Sequence, residues 1–379
     1  MDTQQAQLER YKGFLTQDPH NTNLICQVAQ LQLQLGNPQE ALDSLTNALN
    51  DTPGDAGLQF NLASAHLALN NFQQAVDLLS VLNESIDNSA LKYNLGFALT
   101  HIGEHERAHE LFKQIINAED APVDTSYWLG RSYYYLGDTE NAEKYLSLHS
   151  GDHPENADAL GTLALLSMDT DNFQRAKELA QTALSINSNN TEALVTMGNI
   201  FLDEQDEDSA FDYFSKASAL QPSSGRAWSG LGLTNMLKQD LPSAIDDLKK
   251  ATQFMPEHLG TWHALAWAQI VTNDIEGAAH TFESCLDIDR NFGETHGGLA
   301  VIDILQGNKE SAKEKIKRAL KLDKMSFSAN FAQSLILQDS HPDQAIKIID
   351  NIMSTKLAGD ITLKETLNKH LRKHSVTKH

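Results

Sequence analysis

The chain has 379 residues, with 29 Lys and Arg against 51 Asp and Glu, a formal net charge of −22 at pH 7. A surface of that sign repels a phosphate backbone, which excludes broad nucleic-acid binding over most of it. No apolar run reaches the roughly 18 residues that a membrane span needs, and the two cysteines, Cys26 and Cys285, form neither a CxxC pair nor a disulfide framework.

Organisation comes from a beat. Alanine recurs at Ala41, Ala75, Ala108, Ala142, Ala176, Ala210, Ala244, Ala278, Ala312 and Ala345, with gaps of 33 or 34 residues. A stack of identical helical hairpins keeps such a period, because each unit presents the same small residue where its two helices press together.

In chain order, the polar opening MDTQQAQLERYKGF has no apolar signal core, so a cytoplasmic protein is expected. Residues 4–18 predict a lone helix, with Tyr11, Phe14 and Pro19 in phase with the second helix of a preceding unit. With the recurring alanine set at position 20, ten units then tile residues 22–358, starting at Thr22, Ala56, Ser89, Val123, Ala157, Thr191, Gly225, Leu259, Gly293 and Ser326. Residues 360–374 place Leu363, Leu367 and Leu371 at i, i+4 and i+8, beneath a polar face of Lys364, Lys369, Arg372 and Lys373, and predict a closing helix. The expected division is therefore an N-terminal capping helix (1–21), ten units (22–358), and a basic capping helix and tail (359–379).

Within a unit, position 7 is large and apolar (Leu62, Leu95, Leu129, Leu231) and position 8 is small (Ala29, Gly96, Gly130, Gly198, Gly232). Position 24 is mostly large (Leu45, Phe112, Phe214, Leu248, Phe282). A small residue at 8 facing one at 20 predicts a close helix crossing, with 7 and 24 filling the space beside it. Position 15 carries Gly36, Asn70, Gly103, Gly137, Asp171, Asn273 and Gly307, which tolerate the left-handed conformation that ends a helix. Position 16 is Asn or Asp in most units and reads as the N-cap of the second helix. Pro38 and Pro342 follow at the first helical position, and Pro53, Pro154, Pro222 and Pro256 at position 32 end the unit.

These positions resemble the tetratricopeptide repeat (TPR). The stretch from Trp228 to Pro256 carries Trp228, Leu231, Gly232, Ala244, Leu248, Ala251 and Pro256 on the signature positions. The last unit departs from the pattern with Gln333 at position 8, and Arg290 and Lys324 replace proline at position 32. The resemblance covers about nine-tenths of the chain and implies an all-α, right-handed TPR superhelical solenoid of stacked antiparallel helix pairs.

The resemblance further implies that positions 2, 5, 6, 9, 12 and 13 line a concave groove. In units two to four those positions hold Phe60, Asn61, Tyr93, Asn94, Phe97, Tyr127, Arg131, Tyr134 and Tyr135. Asn61 and Asn94 share a register, and amides at that spacing can grip an extended peptide backbone. The rings offer rigid area with polar tips, and Arg131 suits a carboxylate. The alternative is that the asparagines bond locally and the tyrosines pack between units. In units seven to nine the wall is smaller and more apolar, with Gly230, His263, Trp267, Gly297 and Gly298. It either accepts a partner helix or closes on itself.

The expected function is a non-enzymatic adaptor or chaperone-like scaffold that holds a peptide or helix of a partner protein, one with basic or apolar segments. The second reading is a targeting subunit of a multiprotein enzyme or of a secretion or assembly complex. No lysine stands at position 5, so the carboxylate clamp of chaperone-binding TPR domains is absent. His101, His105 and His109 straddle Gly103 and read as turn and surface residues rather than metal ligands. Asp169 to Asn172 begins like a calcium loop but lacks its glycine and closing glutamate. No catalytic residue, metal, cofactor or small-molecule ligand is expected. Residues 309–379 hold 14 Lys and Arg against 8 Asp and Glu, a basic end that suits an acidic partner, RNA or an anionic membrane, or is a solvated helix face.

Overall fold

The computed structural model describes residues 3–354, and every regular element among them is an α-helix. Two compact units divide the chain, Met1–Ile186 and Asn187–His379. In the first, α1 (Thr3–Leu15) precedes five hairpins: α2 (Thr22–Gln34) with α3 (Pro38–Asp51), α4 (Ala56–Ala68) with α5 (Phe72–Asn83), α6 (Ser89–His101) with α7 (His105–Ile115), α8 (Thr125–Tyr135) with α9 (Thr139–Asp152), and α10 (Ala157–Asp169) with α11 (Phe173–Ile186). The second holds α12 (Thr191–Asp203) with α13 (Glu207–Leu220), α14 (Gly225–Leu237) with α15 (Leu241–Phe254), α16 (Leu259–Val271) with α17 (Ile275–Ile288), α18 (Gly293–Leu305) with α19 (Lys309–Leu322), and α20 (Phe327–Leu337) with α21 (Pro342–Met353). The closing helix expected over residues 360–374 lies outside the described residues.

One turn joins the two helices of a hairpin. In the first nine hairpins its position-15 residue has positive φ, and the N–H of position 16 reaches back to the carbonyl of position 11, as from Asn37 to Gln32 (2.8 Å), Asp206 to Phe201 (2.8 Å) and Asn308 to Asp303 (2.7 Å). This is the Schellman closure of a helix C-terminus. In α20–α21, by contrast, His341 N bonds Leu337 O (2.7 Å). Glycine serves at Gly36, Gly103, Gly137 and Gly307, yet Gln205 (φ 59°) and Gln239 (φ 61°) take the same conformation, which the sequence did not advertise. Among the caps predicted at position 16, Asp138, Asp206, Asp240 and Asp274 accept from a backbone N–H of the second helix. Asn37, Asn71 and Asn308 stand at the cap without that bond. The first helices have caps of their own, including Asn21, Asp55, Asn88, Asn156, Asn190 and Ser224.

The core is a dovetail. The position-20 alanines from Ala41 to Ala312 are fully buried. The position-24 side chain lies directly over the position-8 glycine of its own unit: a Cβ added at Gly96 would stand 2.8 Å from Phe112, at Gly198 2.7 Å from Phe214, and at Gly232 2.5 Å from Leu248. It fills that crossing rather than flanking it. The same ring also reaches the next hairpin at position 6, since a Cβ at Gly230 would meet Phe214 at 2.3 Å and one at Gly298 would meet Phe282 at 2.4 Å. Position 6 therefore faces the preceding unit's core, and each buried ring contributes roughly 2–3 kcal/mol through area removed from water.

Candidate partner-binding surface

The sequence TSYWLGRSYYY makes α8 the most aromatic helix of the first unit. Helical spacing sets Tyr127, Arg131 and Tyr135 at i, i+4 and i+8 along one face. The guanidinium is held there by two hydroxyls: Arg131 Nη1 donates to Tyr127 Oη at 2.8 Å and Nη2 to Tyr135 Oη at 3.1 Å. The charge also lies over the Trp128 ring, 5.4 Å from its centroid, a favourable cation–π position. Trp128 Nε1 donates in turn to Tyr93 Oη (3.1 Å), and Tyr134 Oη donates to Asp169 Oδ2 (2.6 Å), bonds that tie α8 to α6 and α10.

Neighbouring rings extend this into a continuous stack. Phe72 lies parallel to His101 at 4.3 Å, Phe97 meets His101 at 4.3 Å and the Trp128 edge at 5.0 Å, and His105 stacks on Tyr135 at 4.2 Å. Phe72 and His105 both occupy position 17 of their units, and each stacks on the position-13 ring of the next hairpin. Partial desolvation by the rings packed on them lowers the pKa of His101, which keeps an exposed edge, and of His105, and favours the neutral imidazole in both. Burial, reinforced by the Asp124 charge, pushes the Tyr93 phenol up to about 12 and keeps its hydroxyl protonated.

The structure sorts the residues expected to line the groove. Tyr127 is 4 % exposed and Asn61 5 % exposed. Asn61 Nδ2 donates to Gly57 O at 2.8 Å and its side chain also bonds Cys26 of the preceding hairpin, so its amide is engaged within the packing. Both belong to the packing, which corrects their expected place on an open wall: Asn61 is at position 6, against the preceding unit, and Tyr127 is covered by its own neighbours. Phe60, Tyr93, Asn94, Phe97, Arg131 and Tyr134 are partly exposed, and Tyr135 is 44 % exposed. The Asn94 amide makes no side-chain hydrogen bond among the described residues. Sequence reading missed Trp128, Phe72, His101 and His105 as members of this cluster. The registers of Phe72 and His105 (position 17) and of His101 (position 13) were the available signal; Trp128 stands at position 6.

His101, His105 and His109 point to different neighbours; His109 is buried against Ser132 Oγ at 3.1 Å. In the second unit, His263 Nε2 lies 2.9 Å from Thr295 Oγ1, and its ring meets Phe282 and Phe292 edge-on. Burial holds its pKa below the ordinary value of 6.5, although Glu294 opposes the shift. Trp267 packs edge-on to Phe327 and Phe331. The small residues of this wall are occupied from within, Gly230 by Phe214, Gly298 by Phe282, and Gly297 by the backbone of Ala329, 2.4 Å from where its Cβ would be. At these three glycines the wall closes on itself.

Tetratricopeptide-repeat family descriptions match residues 32–95, 124–148 and 195–257. A BBSome complex member, bbs-4 of Caenorhabditis elegans, is 23 % identical over 186 residues, which cover 47 % of this chain. The matched stretch spans 39 % of that relative's length. Two solved structures share the fold. The human IFIT1 dimer with PPP-AAAA matches at 18 % identity and TM-score 0.55, over 95 % of this chain and 90 % of that one. The human IFIT1 dimer with m7Gppp-AAAA matches at 16 % identity and TM-score 0.54, over 87 % and 89 %. Among the described residues, no helix is long and apolar enough to cross a membrane. With the hairpin period, the Schellman turns and the alanine crossings, the three tetratricopeptide-repeat matches make the chain a member of that superfamily, and the two IFIT1 structures share its all-α solenoid fold.

Proposed function

We propose that this protein is a non-enzymatic, cytoplasmic adaptor that holds a segment of a partner protein on the aromatic stack of its first unit. The observation that carries this reading is the unbroken run of rings from Phe72 through His101, Phe97 and Trp128 to Arg131 and Tyr135, with His101 and Tyr135 at the surface. Rigid rings anchor a partner at little entropic cost. The protein's charge of −22 favours a segment that is basic or apolar. Phe60, Asn61, Tyr93 and Tyr127 act by holding the exposed members in place. His263 and Trp267 give the second unit a smaller aromatic surface of its own.

The test is affinity capture from native lysate with the full chain and with Phe97→Ala/Tyr135→Ala. A protein retained by the first and lost from the second, at unchanged melting temperature, supports the placement. Retention of the same set by both removes the stack as the site. The relation to a BBSome complex member favours a second reading, a recruiting subunit of a larger assembly. Stoichiometric co-purification of several proteins with the native chain would select it.

A further inference from the structure

The two turns that lead into α18 and α20 each place a cation at position 32, which is proline in four units and Asp87, Asp120 or Ser188 in three. Where Pro53, Pro154, Pro222 and Pro256 stand in other units, these turns carry Arg290 and Lys324. The turns are built alike: Asp289 Oδ1 accepts from Asn291 N and Asp323 Oδ1 from Met325 N, each at 2.8 Å. Arg318 Nη2 donates to Arg290 O at 3.3 Å, which ties the second turn's helix to the first turn. α19 buries Ala312, Ile316 and Ala319, so Lys317 and Lys321 fall on its outer face, leading to Lys324. Arg290, Lys317, Lys321 and Lys324 are exposed and make no ion pair among the described residues. Residues 309–324 hold seven Lys and Arg against three Asp and Glu, in a chain whose overall charge is −22.

Bulky apolar side chains stand among these cations. Met325 is 77 % exposed, Leu322 42 % and Phe292 36 %. A purely ionic partner would leave these three in water. An anionic bilayer takes both kinds of group: its headgroups meet the lysines, and its headgroup–acyl boundary accepts Met, Leu and Phe. We propose that this edge of the second unit docks peripherally on a membrane surface rich in anionic lipid. The proposal is independent of the aromatic stack in the first unit and of any protein held there.

The experiment is co-sedimentation of the full-length protein with vesicles of phosphatidylcholine alone and of an equimolar mixture with phosphatidylglycerol. The wild type is expected to sediment with the anionic vesicles only and to lose most of that binding in high salt. Each lysine at such a surface is worth about fivefold in partitioning, so Lys317→Ser/Lys321→Ser/Lys324→Ser should weaken binding by roughly a hundredfold. Met325→Ser should leave the salt dependence intact and lower affinity at every salt concentration. All these side chains are exposed, and unchanged circular dichroism would show that the variants fold. Three results would overturn the proposal: no binding to anionic vesicles, equal binding to both compositions, or a triple variant that binds like the wild type. Binding to soluble poly-glutamate with none to vesicles would also overturn it and assign the edge to an acidic polypeptide.

Discussion

Gly297 offers a sharp test of how the hairpins fit. It sits inside α18, where glycine costs about 1 kcal/mol relative to alanine, so Gly297→Ala in an open helix would be stabilising. In this fold the added Cβ would lie 2.4 Å from Ala329 N and 2.8 Å from Ser328 C, against an ordinary contact of at least 3.4 Å. The obstacle is backbone at the start of α20, which cannot rotate aside as a side chain does. Relief requires a separation of about 1 Å between α18 and α20, and overpacking of that kind costs about 1–3 kcal/mol or more. Crowding against unyielding backbone should therefore outweigh the propensity gain and leave a net loss of up to about 2 kcal/mol. The assay is urea unfolding together with hydrogen exchange resolved by peptide. The midpoint should fall, and lost protection should concentrate in α18 to α21 while α12 to α15 keep theirs. Gly13 in α1 has nothing within 4 Å of its added Cβ, so Gly13→Ala should be neutral or stabilising. If Gly297→Ala matched Gly13→Ala in sign, the close approach of α18 and α20 would be refuted.

Gln239 is exposed at φ 61°, a conformation that costs a residue with a Cβ about 1–2 kcal/mol, partly offset by the backbone entropy that glycine would lose. Gln239→Gly should therefore raise stability by roughly 0.5 kcal/mol, and an unchanged or lower urea midpoint would count against the left-handed turn. His149 supplies a pH dependence. Asn156 Oδ1 accepts from the N–H groups of Asp158 and Ala159, which directs its Nδ2 to His149 Nε2 at 2.9 Å and leaves the ring's proton on Nδ1, 3.1 Å from Ser126 Oγ. Burial lowers this histidine's pKa below 6.5 against the pull of Asp124, so the unfolded chain takes up the proton first and stability falls as pH drops below 6.5. The urea midpoint should decline between about pH 7 and pH 5, and His149→Gln should flatten part of that decline; an identical slope in the variant would remove His149 from the account.

Much of this fold was readable because a solenoid repeats its contacts, so its imperfect copies average into one clear rule. The alanine beat and the large residue at position 24 report a close helix crossing, and the glycines at position 15 report a left-handed turn. The candidate surface was less legible. Position 6 was assigned to the groove by likeness to other repeats, yet here Gly230 receives the Phe214 ring and Asn61 bonds Cys26 of the unit before, a relation between units that no single-unit pattern displays. Phe72 and His105 lie outside the first helices, so a search along the expected wall passed over them. Gln205 and Gln239 adopt a backbone their own chemistry disfavours because the hairpin around them dictates it.

The double lock on Phe214, between Gly198 of its own hairpin and Gly230 of the next, bears on how such an array can be rearranged. Loss of residues 225–258, one whole period, would keep the phase and bring α16 beside α13. Position 6 would then be Ala264, and its methyl would stand where a Cβ at Gly230 meets the ring at 2.3 Å. The mirror problem arises around Phe282 and Gly298. The units of this chain are thus keyed to their neighbours, and a duplication or excision must carry both the ring and the glycine that receives it. Lineages that gained or lost repeats here would be expected to do so in pairs.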